Sequence, residues 1–338
     1  MRDGTTGGGI LSRRPLDEDD VRVRPGKGTR PRTRRRPAHE NAPEGFVVSI
    51  DRGRYGTLTE GRVVIAMKAR ELGHRSVVVG DRVVLAGDTS GDEGTLARIV
   101  RVQPRTSALR RSPDDTDPVE RVVVANAQQL VIVCALAEPT PHLRFVDRCL
   151  VAAYDAGISP LLCLTKADLA SPREILDTYE PLGVRCVVTQ RPLTGEQTAG
   201  LRAALSGRIS VLIGQSGVGK STLVNALVPD ADRVIGTVNP VTGRGRHTSS
   251  SAVALALPEG GWIIDTPGVR GFGLGHVSPQ RVVAAFPDLA DPAAACPPGC
   301  DHLGDDCGLG EWARENGAEA RLDSLRRLLR SREGAESP

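Results

Sequence analysis

Gly214-Gln215-Ser216-Gly217-Val218-Gly219-Lys220-Ser221 follows a short apolar run, Ile209–Ile213, and leads into Thr222-Leu223-Val224-Asn225-Ala226-Leu227. The spacing predicts a buried strand that turns sharply into a helix, the setting a phosphate-binding loop requires. Glycines at these positions let the backbone curl with its N–H groups inward, where they and the helix N-terminus meet the α- and β-phosphates of a nucleotide. Lys220 is placed to reach the β/γ-phosphates, and the Ser221 hydroxyl to ligate Mg²⁺. Residues 214–222, from Gly214 to Thr222, are therefore candidate nucleotide contacts, with Lys220 also a candidate catalytic group.

Upstream, the apolar run Pro160-Leu161-Leu162-Cys163-Leu164 ends at Thr165-Lys166-Ala167-Asp168. This tetrapeptide is similar to the guanine signature Asn-Lys-x-Asp of GTPases. A carboxylate at Asp168 accepts from both N1–H and N2–H₂ of guanine, a pair adenine lacks, while the Lys166 stem covers the base. With Thr165 in place of Asn one side-chain amide is missing, which puts one base contact in doubt. Downstream, Gly243-Arg244-Gly245-Arg246-His247-Thr248-Ser249-Ser250 has the composition of a switch loop in which Thr248 closes on Mg²⁺ and the γ-phosphate. Composition alone leaves a plain basic loop open there. The strand Gly261-Trp262-Ile263-Ile264 then delivers Asp265-Thr266-Pro267-Gly268, where Asp265 would hold the hydrated Mg²⁺ and the Gly268 N–H meet the γ-phosphate.

The chain has 338 residues, enough for two or three domains, and a formal net charge of +3. The charge is uneven: residues 22–36 hold eight Arg or Lys and no acid. Residues 1–43 lack apolar periodicity and read as a disordered basic tail, suited to salt-sensitive attraction to RNA or simply solvated. Residues 44–111 show short alternating apolar runs broken by Gly and Asp, which predict a small closed barrel of OB type. Phe46 and Tyr55 are the aromatic residues available there for stacking on bases. A polar stretch near 114–117 marks a boundary, and strands then alternate with helices over 112–284, predicting an α/β domain with a mostly parallel sheet. No apolar run approaches the ~18 residues of a membrane span, and no secretory signal is present, so a soluble cytoplasmic protein is expected.

Of seven cysteines, Cys296, Cys300 and Cys307 crowd with His302 within residues 296–307. Cys₃His in a Pro/Gly-rich segment predicts one structural, tetrahedral Zn²⁺ in a C-terminal module spanning 285–338. Cys134, Cys149, Cys163 and Cys186 sit in apolar surroundings and are expected to pack in cores. A final helix over 318–330 sets Leu322, Leu325, Leu328 and Leu329 against an arginine-rich face suited to rRNA or to solvent.

In an ordinary GTPase the phosphate loop precedes the guanine signature, whereas here it follows. Permutation preserves a sheet if the old termini lie close, so a circularly permuted GTPase is expected. Barrel, Thr-Lys-Ala-Asp, Gly-Gln-Ser-Gly-Val-Gly-Lys-Ser, Arg-His-Thr-Ser, Asp-Thr-Pro-Gly and the Cys/His cluster together resemble the small ribosomal subunit biogenesis GTPases RsgA/YjeQ. Asn126, the Phe145-Val146-Asp147-Arg148 helix and Val79-Gly80-Asp81-Arg82-Val83 are also similar. The resemblance implies a GTPase that docks on the small subunit through rRNA, assists its late maturation, is stimulated by it, and leaves on hydrolysis of GTP to GDP. No membrane or DNA partner is expected, and a monomer suffices. Val269 stands where many GTPases carry a water-orienting glutamine, so His247 is a candidate to supply that contact. Two rivals remain at this stage, a GTP-controlled RNA-binding scaffold with incidental turnover and a P-loop ATPase or kinase.

Overall fold

The computed structural model describes residues 41–73, 77–111, 121–229, 252–266, 274 and 277–332. Residues 1–40 of the tail expected over 1–43, the polar boundary near 114–117 and the loop 243–250 lie outside the described residues.

Five strands, β1 (Glu44–Asp51), β2 (Arg54–Thr59), β3 (Arg62–Lys68), β4 (Arg82–Gly87) and β5 (Ala97–Val102), run in the order β1-β2-β3-β5-β4 and close through β1–β4. Their alternation is the expected one: Val47, Tyr55, Val64, Leu85 and Ile99 point inward and form a core of their own. The strand β2 has only one large aliphatic residue, Leu58, so periodicity alone marks it weakly. Tyr55 is buried in this core and Phe46 packs on Trp262 with ring centroids 5.2 Å apart, so neither aromatic is an open stacking platform.

A short hairpin, β6 (Ala108–Arg111) with β7 (Arg121–Ala125), leads to the mostly parallel part of the structure's sheet. That part comprises β8 (Gln129–Ala135), β9 (Ser159–Thr165), β10 (Arg185–Val188), β11 (Ile209–Ile213), β12 (Val253–Ala256) and β13 (Trp262–Asp265). Its order is β10-β9-β8-β11-β13-β12, parallel throughout except for β12, and β12 pairs with β1 so that sheet and barrel are continuous. All seven residues of β8 are buried, as expected of a central strand covered on both faces.

Period-two alternation divides the sheet's side chains. Val131, Val133, Leu161, Cys163 and Leu212 pack with Leu201 and Leu205 of α3 (Gly195–Leu205) and Leu223 and Leu227 of α4 (Lys220–Leu227). Leu130, Ile132, Leu162, Leu164 and Ile213 face the other way. They pack with α1 (Leu143–Asp155), α2 (Arg173–Tyr179) and the C-terminal helices α5 (Pro279–Ala284), α6 (Pro287–Ala294), α7 (Gly308–Asn316) and α8 (Glu319–Arg332). The helix expected around Phe145-Val146-Asp147-Arg148 and the one expected over 318–330 correspond to α1 and α8. Short α2, α3, α5, α6 and α7 were missed, although Thr194 and Ser278 cap α3 and α5 by accepting the Gln197 and Arg281 amides.

The barrel meets the sheet at a tight joint. A Cβ on Gly80 would lie 2.0 Å from the Ala125 carbonyl oxygen, so only glycine permits this approach. Asn126 donates to Gly80 O at 2.8 Å and accepts from the Thr106 amide at 2.9 Å. Fully buried Asp81 accepts from Arg105 Nε at 2.7 Å and from the Val78 amide at 2.8 Å.

The Leu322, Leu325, Leu328 and Leu329 stripe of α8 is buried as expected, and three of its arginines are half-buried and paired. Arg321 bonds Asp288 and Pro181 O, Arg326 bonds His302 O and Gly304 O, and Arg327 bonds Asp147. Guanidinium groups satisfy exposed carbonyls and carboxylates at the helix's own seam, so these three positions serve packing rather than an open nucleic-acid face.

Candidate nucleotide site and metal centre

In a parallel sheet every strand leaves by the same edge, so loops following β9, β11 and β13 gather there whatever their order along the chain. Residues 214–219 follow β11, Lys166 to Asp168 follow β9 one strand beyond β8, and Asp265 closes β13 opposite Leu212. Gly214 passes so close to β8 that a Cβ there would lie 2.5 Å from Val133 O. Lys220, the first residue of α4, folds back to donate to Gly214 O at 2.5 Å and Gln215 O at 2.7 Å. Burial pulls its pKa down and the Asp265 charge pulls it back up. Thr266 Oγ1 donates to Leu212 O at 2.9 Å, fixing the start of the Asp-Thr-Pro-Gly element to β11. At the far end of α4, Arg202 bonds the Ala226 and Leu227 carbonyls, a cation where the helix dipole is negative.

The two loops touch directly. Thr165, 5% exposed, donates its hydroxyl to Val218 O at 2.7 Å. Thr165, Lys166, Gly219, Thr222 and Leu223 line one open cavity together with Thr189, Gln190, Arg191 and Leu193. The segment after β10 thus supplies a wall for which no signature was recognised, although Arg191-Pro192 and the capping Thr194 marked a turn there. Asp168 stands exposed beside it and accepts the Arg191 amide at 3.0 Å, a bond that holds its carboxyl below the usual range. Lys166 Nζ donates to Glu138 O, and Pro139 abuts Gly217, so a second unpredicted loop supports the phosphate loop from below. His247, Thr248 and Gly268 lie outside the described residues.

Cys296, Cys300, His302 and Cys307 also converge, their ligand atoms all within 4.8 Å of one another. Cys307 Sγ lies 3.7 Å from the Sγ atoms of Cys296 and Cys300 and 3.6 Å from His302 Nδ1. Thiolates about 2.3 Å from a tetrahedral zinc are separated by about 3.8 Å, so this donor set fits that metal. Arg326 of α8 clamps the His302 and Gly304 carbonyls of the same loop.

A phosphate loop and a guanine-type loop share a cavity although the chain visits them in reversed sequence, and that arrangement defines a circularly permuted P-loop GTPase. The family model described as RsgA GTPase matches residues 102–275. A Vibrio vulnificus protein named small ribosomal subunit biogenesis GTPase RsgA 1 is 38% identical over 268 residues, 77% of this chain and 75% of the relative. The crystal structure of YjeQ from Thermotoga maritima superposes with a TM-score of 0.63 at 27% identity, covering 87% of this chain and 99% of that one. YloQ, described as a circularly permuted GTPase, shares the fold with a TM-score of 0.62 at 22% identity, covering 90% and 99%. The chain belongs to the RsgA GTPase family.

Proposed function

We propose that this GTPase acts on the small ribosomal subunit, binding it through rRNA and assisting its late maturation while the subunit stimulates hydrolysis of GTP to GDP. The reading of the substrate is carried by the cavity between Thr165, Lys166, Gly219 and Thr222. That of the partner is supported by the relative's name and its span across 77% of the chain. In this reading Asp168 selects guanine, residues 214–222 and Lys220 hold the phosphates, and Ser221, Thr248 and Asp265 serve Mg²⁺. Mg²⁺ supplies charge neutralisation on the phosphates. Cys296, Cys300, His302 and Cys307 hold one structural Zn²⁺, which ties the loop before α7 to α8.

The working units are a basic tail (1–43), an OB-type barrel (44–111), the permuted GTPase (112–284) and the zinc module (285–338), in a cytoplasmic monomer that engages neither membrane nor DNA. Among the described residues no helix is long and apolar enough to cross a membrane. His247 orients the attacking water in the subunit-bound enzyme, since the Val269 side chain offers no hydrogen bond. GTP and ATP turnover measured with and without purified small subunits tests the whole. Stimulated GTP hydrolysis, lost in Lys220→Ala and lowered in His247→Ala, is expected. Binding without stimulation would favour a GTP-controlled scaffold, and ATP preference would overturn both readings.

A further inference from the structure

Guanine offers two acceptors, N7 and O6, on one edge and the donors N1–H and N2–H₂ on the other. Reading N7 therefore needs a hydrogen-bond donor. Among the described residues three threonines line the cavity: Thr222 is exposed and belongs to the phosphate-holding segment 214–222, and the hydroxyl hydrogens of the two buried ones are already committed. Thr165 donates to Val218 O at 2.7 Å from a position only 5% exposed, and Thr189, 1% exposed, donates to Leu164 O at 3.3 Å. Each hydroxyl oxygen can still accept, but N7 has nothing to give. The Lys166 ammonium is held at Glu138 O. Gln190 and Arg191 stand exposed at the rim, where a donor competes with water and discriminates weakly.

Building on the guanine-site reading above, we infer that this enzyme selects guanine by its Watson–Crick edge alone, without a contact to N7. Thr165 acts as a positioning residue that ties the base-reading loop to the phosphate loop. Its hydroxyl serves the junction of the two loops instead of the base. An aspartate at 168 then carries the discrimination through its two acceptor oxygens, and the phosphate loop depends on the base loop for its shape at Val218. An amide at position 165 has two N–H donors and could hold this tie and reach the base at once, whereas the single hydroxyl hydrogen of Thr165 serves the tie alone.

Competition binding with the full chain and guanosine nucleotide analogues tests the inference. 7-Deaza-GTP, which lacks only N7, should bind within about twofold of GTP, whereas ITP, which lacks the N2 amino group, should bind about tenfold or more weakly. Thr165→Val should weaken GTP and 7-deaza-GTP by the same factor, and Thr165→Ser should restore both. A penalty of about tenfold for 7-deaza-GTP in the unsubstituted protein would overturn the inference, most directly if Thr165→Val abolished it. The wild-type comparison stands even if a variant folds poorly. Asp168→Asn separates the two levels of the argument. It should exchange GTP preference for XTP, whose N1–H and O2 match an amide. Unchanged GTP binding in that variant would overturn the guanine site itself, and the inference with it.

Discussion

In the barrel, Val47, Tyr55, Val64, Leu85 and Ile99 form a cluster that no described side chain of the nucleotide-binding sheet enters. In contrast, Phe286, Leu289, Leu309, Leu322, Leu325 and Leu328 belong to the same cluster as Ile132, Leu150 and Leu164 of the sheet and α1. The barrel keeps an inner core separate from that of the GTPase, whereas the C-terminal helices have none apart from it. The barrel attaches through the β1–β12 pairing, the Phe46–Trp262 contact, the Gly80–Asn126 joint and Val48 and Val79, which join the cluster of the GTPase core from outside the barrel's own. At the other end α8 is sewn in by leucines, by Arg327 on Asp147 and over the Tyr179 ring, and by Arg148 donating to Ser331 O at 2.8 Å. Close-packed interiors transmit displacement where two regions share a core, so the metal loop and the helix layer beside the nucleotide respond together.

The largest test of this contrast removes the metal. Cys300→Ser should abolish binding of the proposed Zn²⁺, and a structural site of this kind can contribute on the order of 10 kcal/mol of apparent binding energy. Because the core is shared, thermal melts should show the GTPase transition falling with the C-terminal helices while the barrel transition stays. A metal assay and a melt that change only the C-terminal segment would break the comparison. Next come paired core truncations of equal chemistry. Leu325→Ala and Ile99→Ala should each cost about 2–5 kcal/mol, the first lowering GTP affinity and the second leaving it unchanged in a binding titration.

A smaller effect is expected at the joint. Asn126→Ala leaves Gly80 O and the Thr106 amide without their partner and should cost about 1–3 kcal/mol in denaturant unfolding, with both cores intact. It should also raise hydrogen exchange at 79–81 and 105–107. The smallest is a slope. Burial pushes the Asp147 carboxyl above its ordinary 3.8, with the Arg327 charge and the Tyr179 hydroxyl pulling it back. A carboxyl raised in the folded state binds its proton more tightly there than in the unfolded chain. Its contribution is therefore most favourable below 3.8 and is lost as pH rises through the folded value. Asp147→Asn should flatten that part of the stability profile, seen by comparing unfolding free energies at successive pH values above 3.8.

What was legible in the sequence was local. A strand running into Gly214 to Ser221, the buried run of β8, the alternation in β1 and β3, and four metal-type ligands in one short segment are each read within a window of residues, because turn chemistry and periodicity act over a few neighbours. β2 and the short helices α5, α6 and α7 were not, since a few residues carry too little periodicity to outweigh their context. The tertiary structure alone decided how side chains with several possible partners are used. Tyr55 went to a core and Phe46 to Trp262, while Arg321, Arg326 and Arg327 turned to carboxylates and carbonyls from distant segments. The Thr165 hydroxyl found Val218 O across the sheet edge. A hydroxyl, a guanidinium or an aromatic ring fits many surroundings equally well by its own chemistry, and the choice falls to whatever long-range packing brings within reach. Convergence of the reversed motifs has the same origin: parallel strands share an exit edge, a property of the assembled sheet that no single segment contains.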